Sequence, residues 1–205
     1  MTHLSLIEEL EYWNLYLKQH PQDVNGYIRR GMTRFKLAQV EGSIHDFDRA
    51  EQLQPDVLPY LWQRGLSYYY VDRWVEGARQ FEVDLQVNGR DVEETVWRCL
   101  CMARSENFAI AQQALLPVKH DPRPVMRYIY DLFAGTCSPE VALAMGNQGG
   151  DRGSFYAHLY VGLWYEAKGQ ADRAQHHIVT AAQRYPLEDY MWYVAQVHQQ
   201  IRGWS

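Results

Sequence analysis

The chain has 205 residues, 47% of them hydrophobic and 22% charged, which suits one globular domain or one small repeat array with a substantial core. Its net charge is -5 and it has no Lys/Arg cluster, which argues against nucleic-acid binding and against docking on anionic membranes, since both need dense positive charge. The three cysteines, Cys99, Cys101 and Cys137, are too few and odd in number for a secreted disulfide framework. Cys99-x-Cys101 has no second Cys/His pair at ligand spacing, so buried thiols are expected and no metal.

The opening stretch MTHLSLIEELEYW lacks the basic start and apolar middle of a signal peptide, being interrupted by Glu8, Glu9 and Glu11. No apolar run approaches the roughly 20 residues of a membrane span. The expectation is a soluble, cytoplasmic protein, or a periplasmic or organellar one if Met1 is not the native start. Residues 5–20 read as one helix stopped by Pro21, a half-repeat filling 1–22.

A 34-residue period then takes over. Arg30, Arg64 and Arg98 are spaced by it, as are Gly31, Gly65 and Cys99, and Phe47, Phe81 and Leu115; Pro21 and Pro55 keep the same spacing, which Gly89 continues. YIRRGMTRF, YLWQRGLSYYY and TVWRCLCMAR are variants of one amphipathic helix, and SIHDFDRAEQLQP and GARQFEVDLQVNG are variants of a second. Each unit is a helix-turn-helix that must stack on its neighbours to bury its apolar face. The predicted order is repeat 1 over 23–56, repeat 2 over 57–90, repeat 3 over 91–122, a degenerate short repeat with a glycine-rich loop over 123–153, repeat 5 over 154–187 and a capping helix over 188–205, all in a single domain. In the degenerate repeat, helices are expected at about 125–134 and 139–146, the second announced by the cap signal Ser138-Pro139-Glu140.

These residues resemble the tetratricopeptide repeat family. Its first-helix glycine matches Gly31, Gly65 and Gly162. The aromatic three positions on matches Tyr68 and Tyr165, and the small residue of the second helix matches Ala111 and Ala174. The large residue four later matches Phe47, Phe81, Leu115 and Ile178, and the closing proline matches Pro55 and Pro186. The resemblance implies an all-α, right-handed helix-turn-helix solenoid that binds protein or peptide partners without catalysis. More loosely, YIYDLFAGTCSPEVAL followed by FYAHLYVGLWYEAKGQADRAQHHIVTAA is similar to the bacterial NlpI-type adaptor group, here without its lipoprotein signal. That likeness implies an adaptor role and leaves a homodimer open.

Two sets of residues are candidates for the site. Ile28, Met32 and Phe35, then Trp62, Leu66 and Tyr69, then Val96, Leu100 and Ala103, form an apolar stripe on the first helices, expected to line a concave groove that takes a partner segment. The groove is either open or filled by the protein's own last helix or degenerate repeat. Arg30, Arg64 and Arg98 form a column expected to pair with acids of the second helices, such as Asp46, Asp48 or Asp84, the alternative being a clamp for a ligand carboxylate.

Other motifs read as structural. GNQGGDRGS, 146–154, has neither the Lys nor the preceding strand of a phosphate loop and reads as a flexible linker. His176-His177 diverge on a helix and form no metal pair by themselves; interhelical hydrogen bonding or plain surface is expected, a joint site with His158 on the preceding helix being the alternative. Glu8-Glu9 and Glu93-Glu94 read as solvated helix faces or helix N-terminal charges. No nucleophile motif is present, so neither an enzyme nor a cofactor is expected. The functional reading is a non-catalytic adaptor, with a structural subunit using its convex face and residues 146–154 as the alternative.

Overall fold

The computed structural model describes residues 3–89, 91–118 and 121–204, and all regular structure among them is helical. No described helix is long and apolar enough to cross a membrane. The chain divides into two compact units, Met1–Val87 and Asn88–Ser205.

The first unit contains α1 (His3–Gln19), α2 (Val24–Lys36), α3 (Val40–Leu53), a 3-10 turn (Pro55–Tyr60), α4 (Trp62–Tyr70) and α5 (Trp74–Val87). Asp23 caps α2, its Oδ1 accepting from the Gly26 N–H at 3.0 Å. Pro55 and Pro59 hold the following stretch in the 3-10 turn, so α4 starts at Trp62 rather than at Tyr60. The repeated glycines let the paired helices touch. A Cβ on Gly31 would sit 3.0 Å from the Phe47 ring, and one on Gly65 would sit 2.7 Å from Phe81 Cζ. The two intra-repeat turns place Ala38 (φ 56) and Asp72 (φ 61) in the left-handed region. Ser43 of α3 donates to the Ser67 hydroxyl of α4 at 2.9 Å, tying the two repeats inside the core.

The second unit contains α6 (Val92–Ser105), α7 (Phe108–Gln113), α8 (Pro124–Ala134), α9 (Pro139–Gln148), α10 (Gly150–Ala167), α11 (Ala171–Arg184) and α12 (Tyr190–Arg202). The period weakens here for visible reasons. Cys99 replaces the packing glycine, and α7 is a helix of 6 residues that ends before Leu115. Pro117 follows close behind, where a longer second helix would have to run. Ser138 caps α9 through the Val141 N–H, as its Ser-Pro-Glu signal predicts. Next, α10 is buried nearly all round, with Phe155, Ala157, Leu159, Tyr160, Val161 and Leu163 at 0% exposure, which makes it the central helix of this unit. It pairs with α11 as the glycine rule anticipates: a Cβ on Gly162 would lie 2.8 Å from Ile178 Cγ1, and Gly169 (φ 72) makes the turn. Finally α12 closes the array on α11, the Trp192 indole donating to the Ala182 carbonyl at 2.9 Å.

The expected flexible linker over 146–154 is corrected. Its first residues complete α9 and its last begin α10, with only Gly149 between them and Gly150 (φ 65) opening α10. Glycines at 146 and 153 serve close packing here: a Cβ on Gly153 would stand 2.3 Å from the Gly146 carbonyl oxygen, and one on Gly146 would stand 2.3 Å from Ala157 Cβ.

Candidate interaction site

The predicted apolar stripe is taken unit by unit. In the first unit Ile28, Met32 and Trp62 are half-buried, whereas Phe35, Leu66 and Tyr69 are at most 1% exposed. In the second unit Val96 and Leu100 are 0% exposed, and Ala103 is half-buried. Five of the nine stripe residues, Phe35, Leu66, Tyr69, Val96 and Leu100, are therefore core, not a solvent-facing stripe. The physical reason is that α4 and α6 are enclosed on more than one side. Every residue from Gln63 to Tyr70 is buried, so the side away from the second helix is covered as well. Met32 faces a neighbour too, its sulfur accepting from Gln63 Nε2 at 3.8 Å.

The arginine column has protein partners. Arg30 binds Asp46 through Nε (3.0 Å) and Nη2 (2.7 Å). Arg64 donates from Nη1 to Asp48 (2.8 Å) and Glu51 (2.5 Å), and from Nε to Gln80 Oε1 (2.9 Å). Arg98 donates to the Ala114 carbonyl at 3.0 Å. Each reaches the second helix of its own repeat or the segment just beyond it, which makes the column an interhelical brace. Asp84, also expected as a partner, instead accepts from Gln80 at 2.8 Å; burial raises its pKa to about 7.

A concavity lies elsewhere. In the second unit a cleft of about 490 Å³ opens between the start of α8, the end of α9 and the first turns of α10. Pro122, Pro124, Val125 and Tyr128 form one wall, Met145 and Gly149 another, and Tyr156 lies against Arg152. The backbone contact of Gly146 with Gly153 fixes the crossing of α9 and α10 and so the width of the cleft. Arg152 is 61% exposed at the rim and Arg123 stands inside; their guanidiniums lie 5.4 and 6.0 Å from the centre of the Tyr156 ring. Asp189, the α12 cap, binds both Arg152 (2.7 Å) and the Tyr156 hydroxyl (2.8 Å).

Behind the cleft runs a buried polar network. Arg123 bonds Asp121 (2.7 Å) and Glu93, and reaches Asp91 at 3.4 Å. Tyr160 donates to Glu93 at 2.7 Å and accepts from the Trp97 indole at 3.2 Å. Burial pushes the Glu93 carboxyl up against the opposing pull of Arg123 and Tyr160. Burial also drives the Tyr160 phenol well above its usual range, and that of Tyr156 likewise. The solvated-face reading of Glu93-Glu94 is thereby corrected: Glu94 is 8% exposed, and Glu93 is the hinge of this network. Its partners are 30 and 67 residues away, beyond any local pattern.

The Cys99 thiol is pushed to about 12 by burial, far from a reactive thiolate, and Cys101 is raised further. Among the described residues no group of three or more His, Cys, Asp or Glu is arranged to hold a metal ion. His158 and His177 do meet, Nδ1 to Nδ1 at 3.0 Å, as the interhelical reading anticipates.

No protein-family profile matches this chain, and no curated protein does. Among solved structures it is similar to a tetratricopeptide repeat protein from Parabacteroides merdae, with a TM-score of 0.58 over 97% of this chain and 78% of that one, at 16% identity. Likeness at that identity speaks to the fold: the chain has an all-α helical-repeat fold of the tetratricopeptide type.

Proposed function

We propose that this protein is a non-catalytic interaction module that captures an extended or helical segment of a partner protein, and that the cleft of the second unit receives one apolar side chain of that segment. The carrying observation is the cleft itself: Pro122, Pro124, Val125, Tyr128 and Met145 surround a space of about 490 Å³, with the exposed Arg152 at its rim. Partner-binding pockets combine an apolar floor with a few placed polar groups, and aromatic, Met and Arg side chains are enriched in them. The fold supports the same reading, because helical-repeat proteins present extended surfaces rather than reaction centres. The loose likeness to NlpI-type adaptors supports an adaptor role; the segment that carries it, residues 128–143, lies on α8 and α9, two walls of the cleft. Of residues 146–154, which the alternative reading singles out, Gln148, Gly149, Arg152 and Gly153 line the cleft as well, so contacts within a larger assembly would use the same surface.

Ile28, Met32 and Trp62 keep part of their surface and are proposed as a second contact in the first unit. Peptides selected from a random displayed library against the full chain test the assignment. Val125→Glu and Met145→Glu, each with unchanged helical circular dichroism, should weaken the selected peptides at least 10-fold. If those variants bind normally while Met32→Ala and Trp62→Ala lose the peptides, the cleft assignment fails in favour of the first unit.

A further inference from the structure

Independently of that cleft, α10 and α11 bring two imidazoles together at a place no other function claims. His158 and His177 stand Nδ1 to Nδ1 at 3.0 Å, both half-buried. The Tyr165 ring stacks on His177 (5.6 Å between centroids, 8° between planes), and the Tyr185 ring lies 5.7 Å from His158 at 31°. The two rings are thus held by aromatic walls on separate helices, and those helices are locked by the Gly162–Ile178 contact.

We infer that His158 and His177 form a two-imidazole binding site for a late first-row divalent metal ion, copper(II) above all. The argument is geometric. A metal bound at roughly 2.0–2.1 Å from both nitrogens would subtend about 95° across a 3.0 Å separation, near the right angle of a tetragonal cis pair and short of the tetrahedral angle preferred by zinc. Two neutral nitrogen donors in that arrangement favour copper(II), which also stands highest in the divalent affinity order. Binding needs both Nδ1 lone pairs. The ring that now donates its Nδ1 proton takes the Nε2–H tautomer, so neither imidazole changes charge, and both turn about χ2, a broad torsion, to aim at the ion. Solvent fills the remaining positions, because among the described residues no third His, Cys, Asp or Glu completes a metal-holding group. His176, whose ring is 5.0 Å from that of His177, points to the exposed side of α11 and serves as the control.

The test uses the tag-free full chain carrying His3→Ala, which keeps the near-terminal imidazole out of the competition. Copper(II) is titrated against glycine as a weak competitor, and the nitrogen splitting of the electron paramagnetic resonance signal is recorded. One ion per chain is expected, with splitting from two imidazole nitrogens. His158→Gln and His177→Gln should each weaken binding at least 10-fold and remove one nitrogen, while His176→Ala should change affinity less than threefold. Because the spectrum counts ligands in the parent protein, the site is testable even if a Gln variant folds poorly. No stoichiometric copper, a signal without imidazole splitting, or affinity untouched by both Gln variants would overturn the inference and leave the pair as a plain hydrogen bond between neutral rings.

Discussion

A methyl group added at Gly65 has nowhere to go. Its carbon would lie 2.7 Å from Phe81 Cζ and 2.9 Å from Cε2, inside a packed core. Gly65→Ala should therefore cost about 1–3 kcal/mol through overpacking, read as a lower denaturation midpoint with unchanged slope; an unshifted midpoint would show that α4 and α5 can part freely. Ala38 makes the opposite case. It sits at φ 56, in the turn position seven residues after Gly31, where Gly169 follows Gly162 by the same seven. Left-handed backbone costs an L-residue roughly 1–2 kcal/mol, against the 0.5–1 that glycine loses in flexibility. Ala38→Gly should thus raise stability by about 0.5–1 kcal/mol, and thermal melting that falls instead would refute the strain argument. The left-handed turn at Ala38 shows only in the backbone, whereas Gly65 was legible in the sequence, because the 34-residue period aligns it with Gly31. Glu93 was not: its meaning depends on Tyr160 and Arg123, which only the packing of α6, α8 and α10 brings to it.

Helices were the easiest objects to read and their faces the hardest. Apolar spacing marks α2, α3, α5 and α11 well, since each is a two-sided helix with one face on its partner. It left two outcomes open for α4 and α6, a groove that is open or one that the protein fills itself. Leu66, Tyr69, Val96 and Leu100 show no more than 1% of their surface, so these positions are covered. The reading of the pair α9 and α10 failed. Several glycines in a short stretch suggested slack chain, yet Gly146 and Gly153 are where two helices touch backbone to backbone. A side chain at 153 would meet the Gly146 carbonyl at 2.3 Å, and backbone yields less readily than a side-chain tip. Gly153→Ala should cost about 3 kcal/mol and abolish capture of cleft-selected peptides, while Gly150→Ala, where a Cβ meets nothing within 4 Å, should cost less than half as much despite its φ of 65. Equal losses at the two positions would mean that loop conformation, not helix contact, shapes the cleft.

For the molecule as a whole, pH couples to stability through two opposed sets of groups. His158, His177 and His198 are held at about 4 by burial, below the usual 6.5. Between those values the unfolded chain binds protons that the folded one does not, so their contribution is complete above 6.5 and is lost as pH falls toward 4. Asp84 works the other way. Its carboxyl, buried with one oxygen unpartnered, is raised from 3.8 to about 7, so the folded chain holds a proton the unfolded one has released, and stability drains as pH rises through that interval. Glu93, raised by burial, adds to the Asp84 side. Asp84→Asn should then stabilise by about 2 kcal/mol at pH 7.5 and by almost nothing at pH 4, steepening the rise of stability between pH 4.5 and 6.5. A variant whose unfolding free energy runs parallel to the wild type across that range would dismiss Asp84 as the source.

The sequence by itself determined the all-α class, the repeat period, the glycine-to-large-residue contact within each repeat and the arginine brace, because each rests on residues no more than one repeat apart. Tertiary structure alone decided which faces meet water, that the glycine-rich stretch is a helix crossing, and that Pro122, Tyr128, Met145 and Arg152 share one cleft. Those outcomes depend on how helices pack across long sequence separations, and a periodic pattern reports only that a face is apolar, not what covers it.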